Sequence, residues 1–311
     1  MDLVTPTRHA STVRELVSAV AQAAAGEVVA VAPGEYAPPS EGLQIRTAIT
    51  LIGANPSPNR IRSGTRLRPA VENGYGIVVT PEDGNVTIAN LTISPERQQP
   101  ASVMPRAGIL VAPDHIVADI RLSRCTVWHM GGSGIHVQAS SGTVNSLMIE
   151  DCVCCGNASH GAYLKNVPYP RVLGGYLAGN ARSGLVLDQC VFARLRDLAF
   201  EANQRQATDP IHESELYLRG GYAHVIDACV FEDFAQYGPS RTAIVAEDCH
   251  GGSIAHCLFQ NPQPGGGTAI QVLSASDGIA FEANTMRGVG EYVRFDRAVR
   301  AWSVPPAANV R

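Results

Sequence analysis

Apolar and polar residues alternate in short bursts along this chain, and most bursts open with the same form, Gly-apolar-x-apolar. It stands at Gly76-Ile77-Val78-Val79, Gly108-Ile109-Leu110-Val111, Gly134-Ile135-His136-Val137, Gly161-Ala162-Tyr163-Leu164 and Gly184-Leu185-Val186-Leu187. Weaker copies open at Glu215, Ala243, Ala269 and Tyr292, so successive copies begin 23 to 32 residues apart. Alternation over four residues predicts a strand with one buried face, and a recurrence in the twenties predicts a stack of such strands. A single copy cannot cover its own apolar face, so only stacked coils make a core.

A second signature trails the first, an apolar residue followed three and five positions later by two more. It reads Ile88-Leu91-Ile93, Leu122-Cys125-Val127, Ile149-Cys152-Cys154, Leu195-Leu198-Phe200, Ile226-Cys229-Phe231 and Ile254-Cys257-Phe259. Strands have a side-chain period of two, so two residues between inward positions predict a tight corner. Each coil is therefore expected to hold a first strand, a variable loop, a short second strand, a two-residue corner such as Glu150-Asp151, a third strand and a final loop. Asn90 in the first corner, and Asn157, Asn180 and Asn203 past the third strands, suit positive φ and stacking of side-chain amides.

With these repeats in hand, the chain resembles the pectate-lyase-like single-stranded right-handed parallel β-helices. Its N-terminus adds to the resemblance. Thr12-Val13-Arg14-Glu15 reads as a capping box opening a helix with apolar positions at Val13, Leu16, Val17 and Val20. The resemblance implies that such a helix caps the coil stack and that an extended stretch ending in Pro-Gly-x-Tyr follows; here Val28 to Val31 precede Pro33-Gly34-Glu35-Tyr36. It covers roughly residues 12–300. The expected fold is all-β, a solenoid of about ten coils in one domain over 1–311, with a cap helix at 12–25, coils at 26–303 and a tail at 304–311.

Composition narrows the partners. The 311 residues carry a net charge of −4 and a pI near 6.1, which gives no electrostatic reason to expect nucleic acid. Arginines at 60, 62, 66 and 68 form a local basic stretch that reads as exposed outward positions. No window reaches transmembrane length, and Met1 to Ser11 lacks the regions of a signal peptide, so the expectation is a cytoplasmic protein that engages no membrane. Cys125, Cys152, Cys229 and Cys257 share one inward column with Cys154 beside it, which suits small reduced core residues. Cys190 and Cys249 fall two coils apart, about 9.5 Å by strand spacing, too far for a disulfide. A zinc site of Cys249, His250, His256 and Cys257 matches no finger spacing, so neither metal nor cofactor is expected.

Chemistry is expected on the outward positions of the first strands. Stacked coils give one column running Val78, Leu110, His136, Tyr163, Val186, Tyr217, Val245, Gln271, Arg294. The other runs Thr80, Ala112, Gln138, Lys165, Asp188, Arg219, Glu247, Leu273, Asp296. Ionisable residues gather in the middle coils. Lys165 is the chain's one lysine among 24 basic residues, which points to a use for a compact titratable ammonium. The alternating signs of Lys165, Asp188, Arg219 and Glu247 equally suit a structural ladder across neighbouring strands, and both readings stand. Long loops at 94–107, 202–214, 233–241 and 261–268 lead into the first strands and would wall this face.

The resemblance implies a substrate groove along the first sheet, and sugar as the usual ligand. The leading reaction is proton abstraction next to a carboxylate or carbonyl, of lyase, epimerase or isomerase type, on an acidic sugar or small biosynthetic metabolite. Arg219 and Lys165 would neutralise the carboxylate, and Tyr163, Tyr217, His136 or a deprotonated Lys165 would move the proton. Asp188 and Glu247 complete the catalytic set; Gln138, Gln271 and Arg294 are candidate substrate-binding positions. The chain departs from family motifs. It lacks the calcium-binding aspartate clusters of pectate lyases and the paired aspartates of polygalacturonases, and Pro113-Asp114-His115 reverses the first two residues of the Asp-Pro-His of mannuronan epimerases. Three alternatives stay open. Asp188 and Glu247, about 9.5 Å apart, could make an inverting glycoside hydrolase. Seven Phe, two Trp and nine Tyr are few for repeated sugar stacking, which suits a cofactor-free cyclase or isomerase of a small metabolite. The third is a non-catalytic glycan-binding module.

Overall fold

The computed structural model describes residues 5–54, 64–69, 74–95, 104–139, 141–206, 214–238, 241–262, 264–273 and 275–296. Three parallel sheets run its length. The first sheet holds ten strands from Leu43–Ile45 to Val289–Phe295, the second eleven from Arg8–Ala10 to Asp277–Glu282, and the third ten from Gly34–Tyr36 to Thr285–Arg287. The chain visits the sheets in turn, so each strand pairs with the equivalent strands of the coils before and after it, and the whole is a right-handed parallel β-helix.

Both sequence signatures are the inward columns. Ile77, Ile109, Ile135, Ala162, Leu185, Leu216, Ile244 and Ile270 pair in continuous register on the first sheet and are buried. On the third sheet Phe200, Phe231 and Phe259 stack with centroids 4.8 and 5.1 Å apart and planes within 7°. That spacing equals the strand repeat, so each coil continues the aromatic column of the last.

The corner between second and third strands turns on one left-handed residue. Asn90, Arg124, Asp151, Gly174, Asp197, Ala228, His256 and Ala283 all have φ near +50 to +63°. Asn90 behaves as expected there, but Asn157, Asn180 and Asn203 do not adopt positive φ. They are buried and build a hydrogen-bonded ladder, because their coils must satisfy inward amides where no strand follows directly. Asn157 Nδ2 donates to Asn180 Oδ1 at 2.9 Å and Asn180 Nδ2 to Asn203 Oδ1 at 2.7 Å. Their backbone N–H groups follow the same path, and the ladder ends on the fully buried carboxyl of Glu215.

At the N-terminus, Val13–Ala21 is helical and packs on the first coils, with Leu16, Ala19 and Val20 buried. Thr12 Oγ1 accepts from the Glu15 N–H at 3.2 Å, whereas the Glu15 carboxylate reaches the N–H and hydroxyl of Ser11, both at 2.8 Å, one residue earlier than the simple box. Arg66 and Arg68 are not free surface charges; both engage Glu35 on the neighbouring coil. Arg60 and Arg62 lie outside the described residues. All eight cysteines are free, seven of them buried, and burial raises the thiols of Cys190 and Cys249 to about 12. They are core atoms, not nucleophiles. Among the described residues, no helix is long and apolar enough to cross a membrane.

Candidate functional site on the first sheet

The first sheet places the candidate residues on adjacent strands in register. His136 pairs with Tyr163 and Gln138 with Lys165; Lys165 pairs with Asp188, Asp188 with Arg219, and Arg219 with Glu247. Because residues alternate across a strand, all of these project from the outer face.

Asp188 is the centre. It is 1% exposed, yet it stays ionised because its charge is answered at short range. Arg219 Nε donates to Oδ1 at 2.9 Å and its Nη2 to Oδ2, giving a bidentate pair, and the Tyr163 hydroxyl donates to Oδ2 at 2.6 Å. Burial pushes the Asp188 carboxyl up, but the hydrogen bonds from Arg219 and Tyr163 outweigh it, so it lies below the usual carboxylate value. The same contacts hold Tyr163 protonated: burial first, then the hydrogen bond to Asp188, raise its phenol. Tyr217 repeats the arrangement two coils on, donating to Glu247 Oε2, with its phenol raised mainly by burial.

The predicted four-charge ladder forms only in part. Arg219 closes on Asp188, while Lys165, next to Asp188 in register, makes no hydrogen bond or ion pair among the described residues. Its ammonium acts on Asp188 through space, as a further charge holding the carboxylate ionised. A half-buried lysine standing beside a carboxylate already satisfied by arginine and tyrosine is not what a purely structural ladder needs.

Around this centre stand two imidazoles. His136 lies against Tyr163 with ring centroids 5.1 Å apart, and its Nε2 is 3.3 Å from Gln138 Oε1; burial lowers its pKa, so the ring is neutral at pH 7. His160, in the loop preceding Ala162–Lys165, also stacks on Tyr163, at 5.9 Å, and is pushed down to about 3, mainly by burial. It was missed in the sequence because it stands outside the strand columns, its one signal being its place two residues before Ala162. Glu215, also missed, is raised to about 8 by burial although Asn203 donates to it twice.

The outer candidates are less concentrated. Gln271 accepts from Thr242 at 3.3 Å, and Arg294 pairs locally with Glu291 at 2.7 Å. Arg294 is five strands from Lys165, about 24 Å by strand spacing, so it does not join the centre. In the same column Val186, Tyr217 and Val245 are buried with Leu273 in a small apolar cluster. The open part of the face is thus the edge around His136, Tyr163, Lys165 and Arg219. The loops expected to wall it fall partly outside the described residues, at 96–103, 207–213, 239–240 and 263. The zinc reading fails on geometry: Cys249 and Cys257 are buried inside the coil, while His250 and His256 face outward onto Asp277 and Asp227.

A family profile described as right handed beta helix region matches residues 107–286. The chain belongs to this family. No protein of curated function matches the sequence of this right-handed beta helix. Among solved structures it is similar to the alginate lyase from Paenibacillus sp. str. FPU-7, with TM-score 0.66 and 12% identity over 95% of this chain and all of the other. It is also similar to the A-module of a mannuronan C-5 epimerase from Azotobacter vinelandii, at 0.52 and 16% over 96% and 92%. A third likeness is the DFA-IIIase from Arthrobacter chlorophenolicus, at 0.56 and 13% over 99% and 97%. At these identities the likeness establishes the β-helix fold.

Proposed function

We propose that the outer face of the first sheet is the active site of a carbohydrate-active lyase or epimerase that removes the proton next to the carboxylate of an acidic sugar. One observation carries the reading: among the described residues the ammonium of Lys165 has no hydrogen-bonded partner, and it stands one strand from a buried carboxylate that Arg219 and Tyr163 already satisfy. A substrate carboxylate between Lys165 and the exposed edge of Arg219 would complete the charge pattern, and its enediolate would be stabilised by the same two cations. Neutral His136 is the base in reach of that position, and Tyr163, held protonated by Asp188, is the proton donor. In the elimination branch the base takes the proton, the C–O bond to the next sugar breaks, the C=C bond forms and the departing oxygen takes a proton. In the epimerase branch a proton returns to the same carbon. The structural likeness to an alginate lyase and a mannuronan epimerase supports this substrate class. Asp188 held ionised by Arg219 speaks against a glycoside hydrolase, which needs one carboxyl as an acid.

The buried apolar cluster of Val186, Tyr217 and Val245 shortens the open face, which favours a second reading in which the ligand is one compact carboxylated metabolite. The test is a panel of alginate, polygalacturonate, other uronates and small carboxylated metabolites, incubated in deuterated water. Elimination appears as the absorbance of an unsaturated uronate, epimerisation as deuterium at the abstracted carbon. Deuterium or elimination that disappears in Lys165→Ala and Tyr163→Phe supports the proposal; turnover of any of these substrates unaffected by both variants contradicts it.

A further inference from the structure

The second sheet carries an outer face that the first-sheet site does not use. Its outward column reads Thr87, Arg121, Met148, Arg171, Arg194, Val225 in continuous register. Arg121 is tied to Glu150. Arg171 and Arg194 stand directly opposite each other, both exposed, and neither forms an ion pair among the described residues. Like charges facing across adjacent strands are unfavourable for the sheet.

Beside these guanidiniums lies an exposed aromatic stack. Tyr169 and Phe192 have ring centroids 5.2 Å apart with planes 3° apart, and Tyr222 meets Phe192 edge-on at 4.9 Å. They are 55%, 37% and 46% exposed. Tyr169 and Phe192 also hold left-handed backbone, φ 57° and 54°. The left-handed residues at the equivalent register position of the other coils are Asn85, Asp119, Ser146, Ala223, Gly251 and Gly278, mostly types that accept this conformation easily. A bulky aromatic there is a strained choice, and Tyr169 is followed by Pro170, which restricts it further. Two neighbouring coils thus accept backbone strain to set an aromatic stack beside two arginines that form no ion pair among the described residues. The strip opens at one end into a groove of about 660 Å³ bordered by Arg121, Arg171 and Tyr169, with Asn85, Asp119 and Ser146 supplying side-chain oxygens and an amide.

From this juxtaposition we propose that the second sheet bears a non-catalytic binding strip for an acidic oligosaccharide, its apolar C–H patches along the exposed edges of the Tyr169, Phe192 and Tyr222 stack and its carboxylates on Arg171 and Arg194. The ring edges offer an apolar surface to sugar C–H groups, guanidinium pairs with carboxylate, and the groove's amide, carboxylate and hydroxyl groups suit sugar hydroxyls. From the strand of Arg121 to that of Tyr222 the strip spans about 19 Å by strand spacing, the length of a short oligosaccharide. The chain's net charge of −4 and Asp119 in the groove disfavour a nucleic acid strand. The inference stands on these residues and does not rest on the first-sheet reading.

The test is titration calorimetry on the full chain with three probes, an oligogalacturonate hexamer, a neutral cello-oligosaccharide hexamer and a short oligothymidylate. Four proteins are compared: wild type, Arg171→Ala/Arg194→Ala, Tyr169→Asn/Phe192→Asn and Lys165→Ala. Asparagine accepts the left-handed backbone, and all four substituted strip residues are exposed, so the strip variants fold. The acidic hexamer is expected to show a strip-binding component that Lys165→Ala, which weakens only the first-sheet site, retains, and that loses about tenfold affinity in each strip variant. The neutral hexamer should respond to the aromatic pair alone, and turnover at the first sheet should be unchanged in both strip variants. Acidic-hexamer affinity unchanged in either strip variant, its loss in Lys165→Ala alone, or tighter binding of the oligothymidylate would overturn the proposal.

Discussion

The outer faces of the first and second sheets are built from the same coils and treat charge in opposite ways. On the first, Asp188 is sealed at 1% exposure and its charge is cancelled by Arg219 and Tyr163 over hydrogen-bonding distances. On the second, Arg171 and Arg194 are exposed, face each other and form no ion pair among the described residues. Burial with short, directional partners fixes protonation states and positions, which a proton-transfer site requires. Exposed charge beside an exposed aromatic stack leaves interactions for a ligand to make. One solenoid can hold both because each coil presents three independent faces to solvent.

The contrast can be broken first at Arg219. Removing it leaves a buried carboxylate unpaired, so Arg219→Ala is expected to cost about 3 kcal/mol in urea unfolding and to abolish turnover. The Asp188 pKa in the folded state is below its ordinary value. The stability it contributes is therefore complete above the unfolded value and is lost as pH falls through the folded one. The penalty of Arg219→Ala should accordingly shrink in acid; a penalty constant from pH 7 to pH 3 would show that Asp188 is not its source. Tyr163→Phe removes a hydrogen bond to a charged, buried acceptor, for an expected loss of about 2 kcal/mol and at least a hundredfold in turnover.

Behind the first face, Glu215 has the opposite sign. Its carboxyl, raised to about 8, favours the neutral form in the folded state, so stability is expected to fall as pH rises from the ordinary 4.5 toward 8. Glu215→Gln should flatten that slope, an effect of order 1 kcal/mol or more at pH 8; an unchanged slope would mean that the asparagine ladder solvates the carboxylate fully. The second face should respond to charge in the reverse direction from Arg219. Arg194→Glu, by pairing with Arg171, is expected to raise stability by about 0.5 kcal/mol while weakening acidic-hexamer binding, and a loss of stability would contradict the reading of Arg171 and Arg194 as an unfavourable pair.

Much of the first sheet was legible in the sequence because its period is strict. The column from His136 through Tyr163, Val186 and Tyr217 to Gln271 follows from counting Gly-apolar-x-apolar copies, and the strand register has the same order. Which charges close on each other was not legible. Lys165 and Arg219 flank Asp188 equally in register, and only side-chain reach and burial decide that Arg219 closes the pair. Of the two expectations for Asn157, Asn180 and Asn203, stacking of side-chain amides holds and positive φ does not, because the ladder, and not a turn, fixes their backbone. The second face was not read at all. Nothing in the propensities of Tyr169 or Phe192 announces a left-handed backbone; the flanking Pro168 and Pro170 are the available sign.

The most direct test of the account is to measure unfolding free energy and uronate turnover together in Lys165→Ala. Lys165 makes no hydrogen bond or ion pair among the described residues, so stability should stay within about 0.5 kcal/mol of wild type while turnover is lost. A variant that loses stability yet turns over substrate normally would make Lys165 a rung of a structural ladder and contradict the first-sheet site.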